Sequence, residues 1–155
     1  MDKQKLIIFK IEAMKKASLI VFYVLGMIMV CSVGKSQTNI DNDKQIISML
    51  KKFYTEYISI SSETNVMSEK KLYSLEKRYC TDRLIKKIPA IVDETDADPF
   101  LKAQDAFKED INTLSVVKSV KKPNNYIVSY GKKSKIIIEV RVIDNKGQFK
   151  IDGIK

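Results

Sequence analysis

Apolar residues recur in the segment 42–59 at the spacing of one face of an α-helix. They stand at offsets of 0, 1, 4, 7, 8, 11 and 12, and they are Ile46, Ile47, Leu50, Phe53, Tyr54, Tyr57 and Ile58. Asn42 can accept a hydrogen bond from the first free backbone N–H groups, with Gln45 at the reciprocal capping position. The pattern therefore predicts an amphipathic helix from about Asn42 to Ser59.

Two shorter helices are predicted next. Ser68 is the expected N-cap of the first, whose apolar face consists of Leu72, Leu75 and Tyr79. Thr81 is the expected N-cap of the second, which carries Leu84, Ile85 and Ile88. Because proline has no backbone N–H and clashes with the preceding turn, Pro89 is expected to end this helix.

An acidic segment, residues 93–98, follows and is predicted to be a loop. Asp98 and Pro99 then form a pair that typically starts a helix, with aspartate as the N-cap and proline in the first turn. A short helix is therefore expected after Asp98, with an apolar face made of Phe100, Ala103 and Phe107.

From residue 113 onward the pattern is typical of β-strands, because 114–120 is rich in β-branched residues and apolar residues alternate with polar ones in 126–130 and 135–143. Strands are expected over 114–120, 126–130, 135–143 and 149–154, with turns between them. Gly147 supplies the positive φ that the last hairpin turn requires. Helices followed by a meander of strands predict an α+β fold, in which the N-terminal helices pack on a four-stranded antiparallel sheet.

The N-terminal segment has the pattern of a secretory signal. Residues 17–34 carry no charge, basic residues precede them, and small residues follow the apolar run 19–30. We expect residues 1–36 to be removed after Ser36, or after Gly34, which leaves 37–155 as one domain. A retained membrane helix is the alternative, because 18 residues is close to the shortest segment that spans a bilayer.

Two details bear on this prediction. Met14 is an alternative start to Met1, since Lys15 and Lys16 follow it directly. Cys31 is not expected to be lipidated, because Val30 occupies the position where a lipidation signal has a small residue. The expected location is therefore the periplasm or cell envelope, without a stable membrane span after processing.

The expected removal of residues 1–36 changes the net charge of the protein. The full chain has 28 basic and 19 acidic residues and a net charge of +9. Residues 1–36 hold six lysines and two acidic residues, so the remainder has 22 basic and 17 acidic residues and a net charge of +5. Its lysines are dispersed rather than aligned in one stripe, and we therefore expect no nucleic-acid partner.

The composition excludes several kinds of chemistry. The sequence has no His, so Ser-His-Asp and Cys-His catalysis and imidazole zinc sites are excluded. Its five Gly are isolated and form no phosphate-binding loop. Processing leaves Cys80 as the one remaining thiol, which is expected to be buried and free. We predict that the protein is not an enzyme and uses no cofactor.

Two groups of residues are candidates for a ligand pocket. Asp98, Gln104 and Asp105 are polar residues in and after the acidic segment. Calcium would require several such oxygens, but this segment lacks the glycine and glutamate spacing of an EF-hand, and no metal site is expected. Five tyrosines form the second group, and they line either a pocket or the core: Tyr54, Tyr57, Tyr79, Tyr126 and Tyr130.

Four stretches resemble an exported bacterial family, domain of unknown function 3828. They are Phe53–Tyr57 (FYTEY), Arg78–Leu84 (RYCTDRL), Asp96–Asp105 (DADPFLKAQD) and Lys150–Ile154 (KIDGI). Phe149 departs from the tryptophan that such proteins often carry there. The resemblance implies a cone-like fold similar to nuclear transport factor two and cystatins, in which a curved sheet wraps the first helix and leaves a pocket. It implies no activity.

Two functions from different classes follow from this pattern. The first is a binding domain with a pocket between the first helix and the sheet, which takes an unknown small ligand or peptide. The alternative is a protein-interaction module, such as an inhibitor or immunity partner of a toxin. A deep pocket beside Tyr57 would favour the first, whereas a filled core and an exposed apolar sheet face would favour the second.

N-terminal sequencing of the protein from the cell envelope checks the processing prediction. Cleavage after Ser36 leaves Gln37 as the first residue, and cleavage after Gly34 leaves Lys35. Recovery of a chain that begins at Met1 or Met14 would instead show that the apolar segment is retained.

Overall fold

The computed structural model describes residues 34–63, 66–104 and 106–155. Within these residues the α-helices are α1 Gly34–Ser61, α2 Val66–Tyr79, α3 Asp82–Ile85 and α4 Ile88–Thr95. A 3-10 helix, Lys108–Thr113, precedes the strands β1 Ser115–Lys118, β2 Asn125–Tyr130, β3 Ile136–Asn145 and β4 Gln148–Ile154. The predicted α+β order, with helices before an antiparallel meander, is confirmed.

The sheet has the order β1-β2-β3-β4, and each neighbouring pair is antiparallel. Because side chains alternate along a strand, one face of the sheet is buried against the helices. Its buried residues are Val116, Tyr126, Val128, Tyr130, Ile138, Val140, Val142 and Ile151. The other face, called the outer sheet face below, includes Ser115, Val117, Asn125, Ile127, Ser129, Ile137, Glu139 and Arg141.

Aromatic rings from α1, from α2 and from Phe100 pack together in the core that they share with the inner face of the sheet. Phe53 of α1 packs edge-on against Tyr54 at 5.2 Å and against Phe100 at 5.1 Å between ring centroids. Tyr57 lies 4.9 Å from Phe100, and Tyr79 of α2 lies 5.5 Å from Phe53. These rings belong to one compact unit, residues 43–155. Burial of each ring contributes about 1.5–3 kcal/mol to the stability of this unit.

A β-bulge interrupts the pairing of β3 with β4. Arg141 pairs with Gly153 and Val142 pairs with Ile151, so Asp152 is the extra residue on β4. A bulge of this kind bends the strand and redirects a side chain. Here it brings the carboxylate of Asp152 to the side chain of Arg141 on the neighbouring strand.

Asp152 joins the bulge to α3. Its carboxylate is buried and accepts hydrogen bonds from Thr81 Oγ1 at 2.9 Å, Arg83 Nε at 3.1 Å and Arg141 Nη2 at 2.6 Å. Burial by itself would raise the pKa of Asp152, but the hydrogen bonds from Arg83 and Thr81 and the two arginine charges lower it below its ordinary value.

Helix boundaries differ from the prediction at both of the first two helices. α1 begins at Gly34, so Asn42 lies inside it and is not its N-cap. The reason is that the polar lead contains neither Gly nor Pro between 35 and 45, and nothing there breaks a helix. Ser68 likewise lies inside α2 rather than at its N-cap, and its hydroxyl donates to the carbonyl oxygen of Glu63.

The prediction that Pro89 ends a helix is wrong. Thr81 caps α3 as predicted, since its Oγ1 accepts the Leu84 N–H at 3.2 Å. Pro89, however, lies in the first turn of α4, where a missing backbone N–H leaves no hydrogen bond unmade. α4 consequently extends through residues 93–95, which were predicted to be a loop, and ends at Asp96 with a left-handed φ of 50°.

The helix predicted after Asp98 does not form. Asp98 Oδ1 accepts the N–H groups of Phe100 at 2.7 Å and Leu101 at 3.1 Å, as an N-cap would. Lys102 then adopts a φ of 49°, and Ala103 pairs back with Asp98. The segment is therefore a tight turn. Two hydrogen bonds from distant tyrosines also hold it, one from Tyr57 to the Asp98 carboxylate and one from Tyr130 to the backbone of the turn, and local sequence does not encode them.

The strand predictions are confirmed in number and order, with small differences at the ends. The last hairpin turn has the expected positive φ at Gly147, which is 83°, and Lys146 also adopts a left-handed φ of 57°. The predicted targeting segment falls mainly on residues 1–33, including Cys31, and these lie outside the described residues. None of the described helices is long and apolar enough to cross a membrane.

Asp152→Ala removes an acceptor that Thr81, Arg83 and Arg141 share. We expect the free energy of unfolding at pH 7 to fall by about 2–4 kcal/mol, because a hydroxyl and two guanidinium groups lose a buried partner. The difference from the wild type should shrink as pH falls below 3.8 toward the lowered pKa of Asp152, because the wild-type carboxylate then takes up a proton and loses its charge. Urea denaturation at pH 7 and at a pH below 3.8 measures the free energy of unfolding of both proteins.

Asp93→Ala is the matched control, because Asp93 is exposed on α4 and its side chain makes no hydrogen bond with a described residue. It should change the free energy of unfolding by less than about 0.5 kcal/mol. An equal loss in the two variants would contradict the role assigned to Asp152.

Candidate functional site

Tyr57 lies at the centre of a buried polar cluster formed with Glu76 and Asp98, called the carboxyl cluster below. Its hydroxyl donates to Asp98 Oδ2 at 2.7 Å and lies 3.4 Å from Glu76 Oε1. A tyrosine hydroxyl has one proton to donate, so Asp98 is the closer acceptor and Glu76 is only weakly bonded.

Three separate elements bring this cluster together. Tyr57 is on the apolar face of α1, and Glu76 is in the last turn of α2 next to buried Leu75. Asp98 follows α4 in the turn that its own Oδ1 caps. The cluster therefore connects α1, α2 and the turn that carries Phe100 into the core.

The electrostatics of the carboxyl cluster are unusual because no described basic side chain is bonded to either acid. Burial, together with repulsion from Asp98, raises the pKa of Glu76 to about 7, although the hydrogen bond from the Tyr57 hydroxyl acts in the opposite direction. Burial also raises the pKa of Asp98, against the hydrogen bonds from Tyr57, Phe100 and Leu101. Glu76 is thus half-protonated near neutral pH.

Two further tyrosines from the sequence analysis lie close by. Tyr130 donates its hydroxyl proton to the Leu101 carbonyl oxygen at 2.5 Å. The Tyr54 hydroxyl is fully buried and has no hydrogen-bond partner among the described residues. Burial, followed by the electrostatic influence of Tyr130, Cys80 and Asp98, raises its pKa well above the ordinary value.

The structure therefore brings Tyr54, Tyr57, Tyr130 and Asp98 into one region, but Gln104 lies apart. Gln104 is exposed, and its amide lies 3.5 Å from Asp96 Oδ2. The remaining candidate, Asp105, is outside the described residues.

Glu76 is the functional candidate that the sequence analysis missed. It follows Leu72 by four positions and precedes Tyr79 by three, so helical periodicity places it on the apolar face of α2. A charged residue at an apolar position is the signal that could have identified it. Its acidic partner could not be found this way, because Asp98 is 22 residues farther along the chain.

The carboxyl cluster is not open to a large molecule. Tyr57 is only 2% exposed, and the rings of Phe53 and Phe100 cover it on the core side. Among the described residues, no group of three or more His, Cys, Asp or Glu side chains could hold a metal ion. The cluster can store a proton and join three elements, and its one half-buried member is Asp98.

Asp98 also lines a surface cleft of about 380 Å³ between α4 and the end of β4. The walls are mainly apolar, and the lining includes Ile91, Pro99, Lys102 and Ile154. A second cleft of about 440 Å³ lies between the 3-10 helix and the β2–β3 turn. Both clefts lie away from the space between α1 and the sheet.

The outer sheet face exposes apolar side chains to solvent. Val117 on β1 is 52% exposed and Ile137 on β3 is 53% exposed, with the half-buried Ile127 between them on β2. On the same face, Glu139 accepts hydrogen bonds from Lys122 Nζ at 2.9 Å and from an asparagine of β2. This face is a candidate interface because its apolar centre is bordered by polar side chains that are hydrogen-bonded to one another.

Lysines surround both ends of this face. The β1–β2 turn carries Lys121, and the opposite end of the sheet carries Lys108, Lys132, Lys133 and Lys135. None of these five lysines forms an ion pair with a described residue. Glu109 and Asp110 offset part of the positive charge at the second end, and a net positive charge remains at each.

Glu76→Gln tests the raised pKa of the carboxyl cluster. Between pH 4.5 and 7 the folded wild type binds more protons than the unfolded chain, so its stability falls as pH rises through this range. The variant has no group to ionise there. We expect it to match the wild type near pH 4.5 and to exceed it by about 1–3 kcal/mol at pH 8, as measured by urea denaturation.

Glu69→Gln, on the exposed side of the same helix, is the matched control and should keep the pH dependence of the wild type. If Glu76→Gln were equally destabilised at both pH values, its carboxyl would act only as a hydrogen-bond acceptor, and the proton-binding role would be wrong.

The chain is similar to a protein of known structure whose function is unknown. No family model matches the sequence, so its resemblance to a named domain family stays a prediction, and no curated protein matches it. A crystal structure of a protein of unknown function from Bacteroides thetaiotaomicron VPI-5482 is similar, with 30% sequence identity and a TM-score of 0.73. The match covers 79% of this chain and 97% of that chain. This chain therefore belongs to the same family as the Bacteroides thetaiotaomicron protein.

Proposed function

We propose that this chain is an exported, non-catalytic protein-interaction domain that binds its partner through the outer sheet face. The observation that carries the proposal is the contrast between the two faces of one sheet. The inner face is packed against α1, whereas Val117 and Ile137 on the outer face are about half-exposed. Exposed apolar residues grouped on one face are typical of protein interfaces.

The filled core favours this function over a pocket between α1 and the sheet. Phe53, Tyr57 and Phe100 are in contact with one another at ring distances of 4.9–5.3 Å. A ligand in this space would have to displace rings whose burial stabilises the fold. Removal of a buried aromatic side chain from a core costs about 3–5 kcal/mol, and a binding site there would have to overcome a cost of that order.

The charges favour an acidic partner. Lysines without described ion pairs lie at both ends of the outer sheet face, and its own acidic residue, Glu139, is already paired with Lys122. Opposite charges around an apolar centre accelerate association and exclude like-charged competitors. We therefore infer a partner whose interface has an apolar centre and acidic residues around it.

The non-catalytic part of the proposal is supported by the position of the acids. Glu76 has the shifted pKa that a general acid or base requires. It lies beside Tyr57, which is almost completely buried, and Glu76 lines neither of the two clefts described above. A substrate bound in the cleft beside Asp98 would therefore reach Asp98 but not the carboxyl whose proton is available near pH 7.

A small-ligand binder is the second candidate function. The cleft beside Asp98 has apolar walls and a volume of about 380 Å³, which falls within the usual range for small-molecule sites. Such a ligand would raise the melting temperature by mass action. A screen of cell-envelope metabolites by thermal shift, repeated with Ile91→Ser and Ile154→Ser, would identify it.

The interface is tested with the double variant Val117→Ser/Ile137→Ser. We expect cross-linking in the producing cells to recover one dominant acidic protein with the wild type, and about tenfold less of it with the variant, because the apolar centre of the interface is lost. Both residues are half-exposed, so the variant should remain folded, which its melting temperature verifies.

Val92→Ser, an exposed valine on α4, is the matched control and should recover as much partner as the wild type. Undiminished recovery with the double variant, or recovery of no dominant partner with the wild type, would refute the proposed interface.

A further inference from the structure

The two edges of the sheet differ in whether their backbone groups are paired. At the β4 edge, the N–H of Thr81 donates to the Ile151 carbonyl oxygen at 2.9 Å, and Cys80 forms a parallel bridge with Ile151. Arg83 Nη2 donates to the backbone carbonyl oxygen of Asp152 at 2.9 Å. The segment that joins α2 to α3 therefore covers this edge.

The β1 edge has no such cover from the described residues. The N–H of Ser119 donates to the Asn125 carbonyl oxygen at 2.8 Å, so the backbone groups of Ser119 point toward β2. In an antiparallel strand the backbone N–H and C=O groups of every second residue point to the same side, so those of Val117 also point toward β2. The N–H and C=O groups of Val116 and Lys118 point away from the sheet, and no described residue bonds to them.

We propose that the protein partner adds an acidic, extended strand to the β1 edge of this sheet. This inference rests on the proposed function and deepens it, because it states how the partner is held. The outward N–H and C=O groups of Val116 and Lys118 supply the hydrogen bonds. Strand addition to an open edge is a common mode of peptide recognition, in which the backbone supplies affinity and alternate side chains supply specificity.

Side-chain positions on β1 define the sequence of the added strand. Val117 lies on the outer sheet face, so the residue beside it in the added strand is apolar and extends the apolar centre of that face. Lys118 lies on the other side of the strand, where its Nζ is 2.6 Å from Asp43 Oδ2. An acidic residue beside Lys118 would share this ammonium group, and apolar and acidic residues would therefore alternate.

Charge also argues against a second copy of this chain as the added strand. Two β1 edges paired in antiparallel orientation would place Lys118 of one copy within two positions of Lys118 of the other, because β1 is only four residues long. Like charges across adjacent strands are destabilising, and lysines on an edge strand are a known protection against self-pairing. An acidic strand meets the same lysine with opposite charge.

The experiment uses the full chain and a synthetic probe, the blocked peptide Glu-Val-Glu-Thr-Glu-Val-Glu. Amide hydrogen exchange, read by NMR at saturating peptide, should show about tenfold more protection at Val116 and Lys118, the two outward N–H groups. The N–H of Val117, already bonded within the sheet, serves as the internal reference and should not change. The same peptide with lysine in place of glutamate should protect neither group.

Two variants separate the backbone from the side chain. Lys118→Pro removes the outward N–H without removing a bond of the sheet, and we expect it to abolish peptide binding. Lys118→Gln keeps the N–H and loses the ion pair with Asp43, and we expect it to bind the peptide with a several-fold loss. Should the proline variant fail to fold, the exchange pattern of the wild type still decides the outcome.

Three results would overturn the proposal. They are unchanged exchange at Val116 and Lys118, equal protection by the lysine peptide, and protection without peptide in a chain that sedimentation shows to be a dimer. Cross-linking in cells distinguishes a failure of strand addition from a failure of the proposed function. Loss of the partner by Val117→Ser/Ile137→Ser but not by Lys118→Pro would keep the outer face as the interface and refute strand addition.

Discussion

Burial of the aromatic face of α1 is the constraint on which the rest of the structure depends. Phe53 and Tyr57 must be removed from water, and they are buried in the core together with Phe100 and the inner face of the sheet. Their rings occupy the volume that a pocket would need. Because the inner face of the sheet is used in this way, the outer face and the open β1 edge are the surfaces left for recognition.

Two aspartates, the buried Asp152 and the half-buried Asp98, show how the surroundings decide the behaviour of the same side chain. Asp152 is enclosed by Arg83 and Arg141, and their charges and hydrogen bonds lower its pKa. Asp98 is bonded by a tyrosine hydroxyl and by backbone N–H groups, and burial raises its pKa. The first aspartate adds stability at neutral pH. The second, together with Glu76, makes stability decrease as the acids ionise.

Sequence reasoning found part of the carboxyl cluster and could not find the rest. The helix pattern identified Tyr57 as a candidate on the apolar face of the first helix, and the capping pattern identified Asp98. Their contact joins residues 41 positions apart, which no local pattern encodes. Glu76 carried a local signal, a charge at an apolar helix position, but its importance depends on the neighbours that tertiary packing supplies.

The sequence by itself determined the class of the fold, the order of helices and strands, the Thr81 cap and the last hairpin, because these follow from side-chain period and local backbone chemistry. Tertiary structure decided the role of Pro89, the turn after Asp98 and the bulge at Asp152, where long-range contacts outweigh local preference. It also decided which edge of the sheet is covered. Edge cover depends on where the α2–α3 segment comes to lie, and that position is set by packing rather than by the strands themselves.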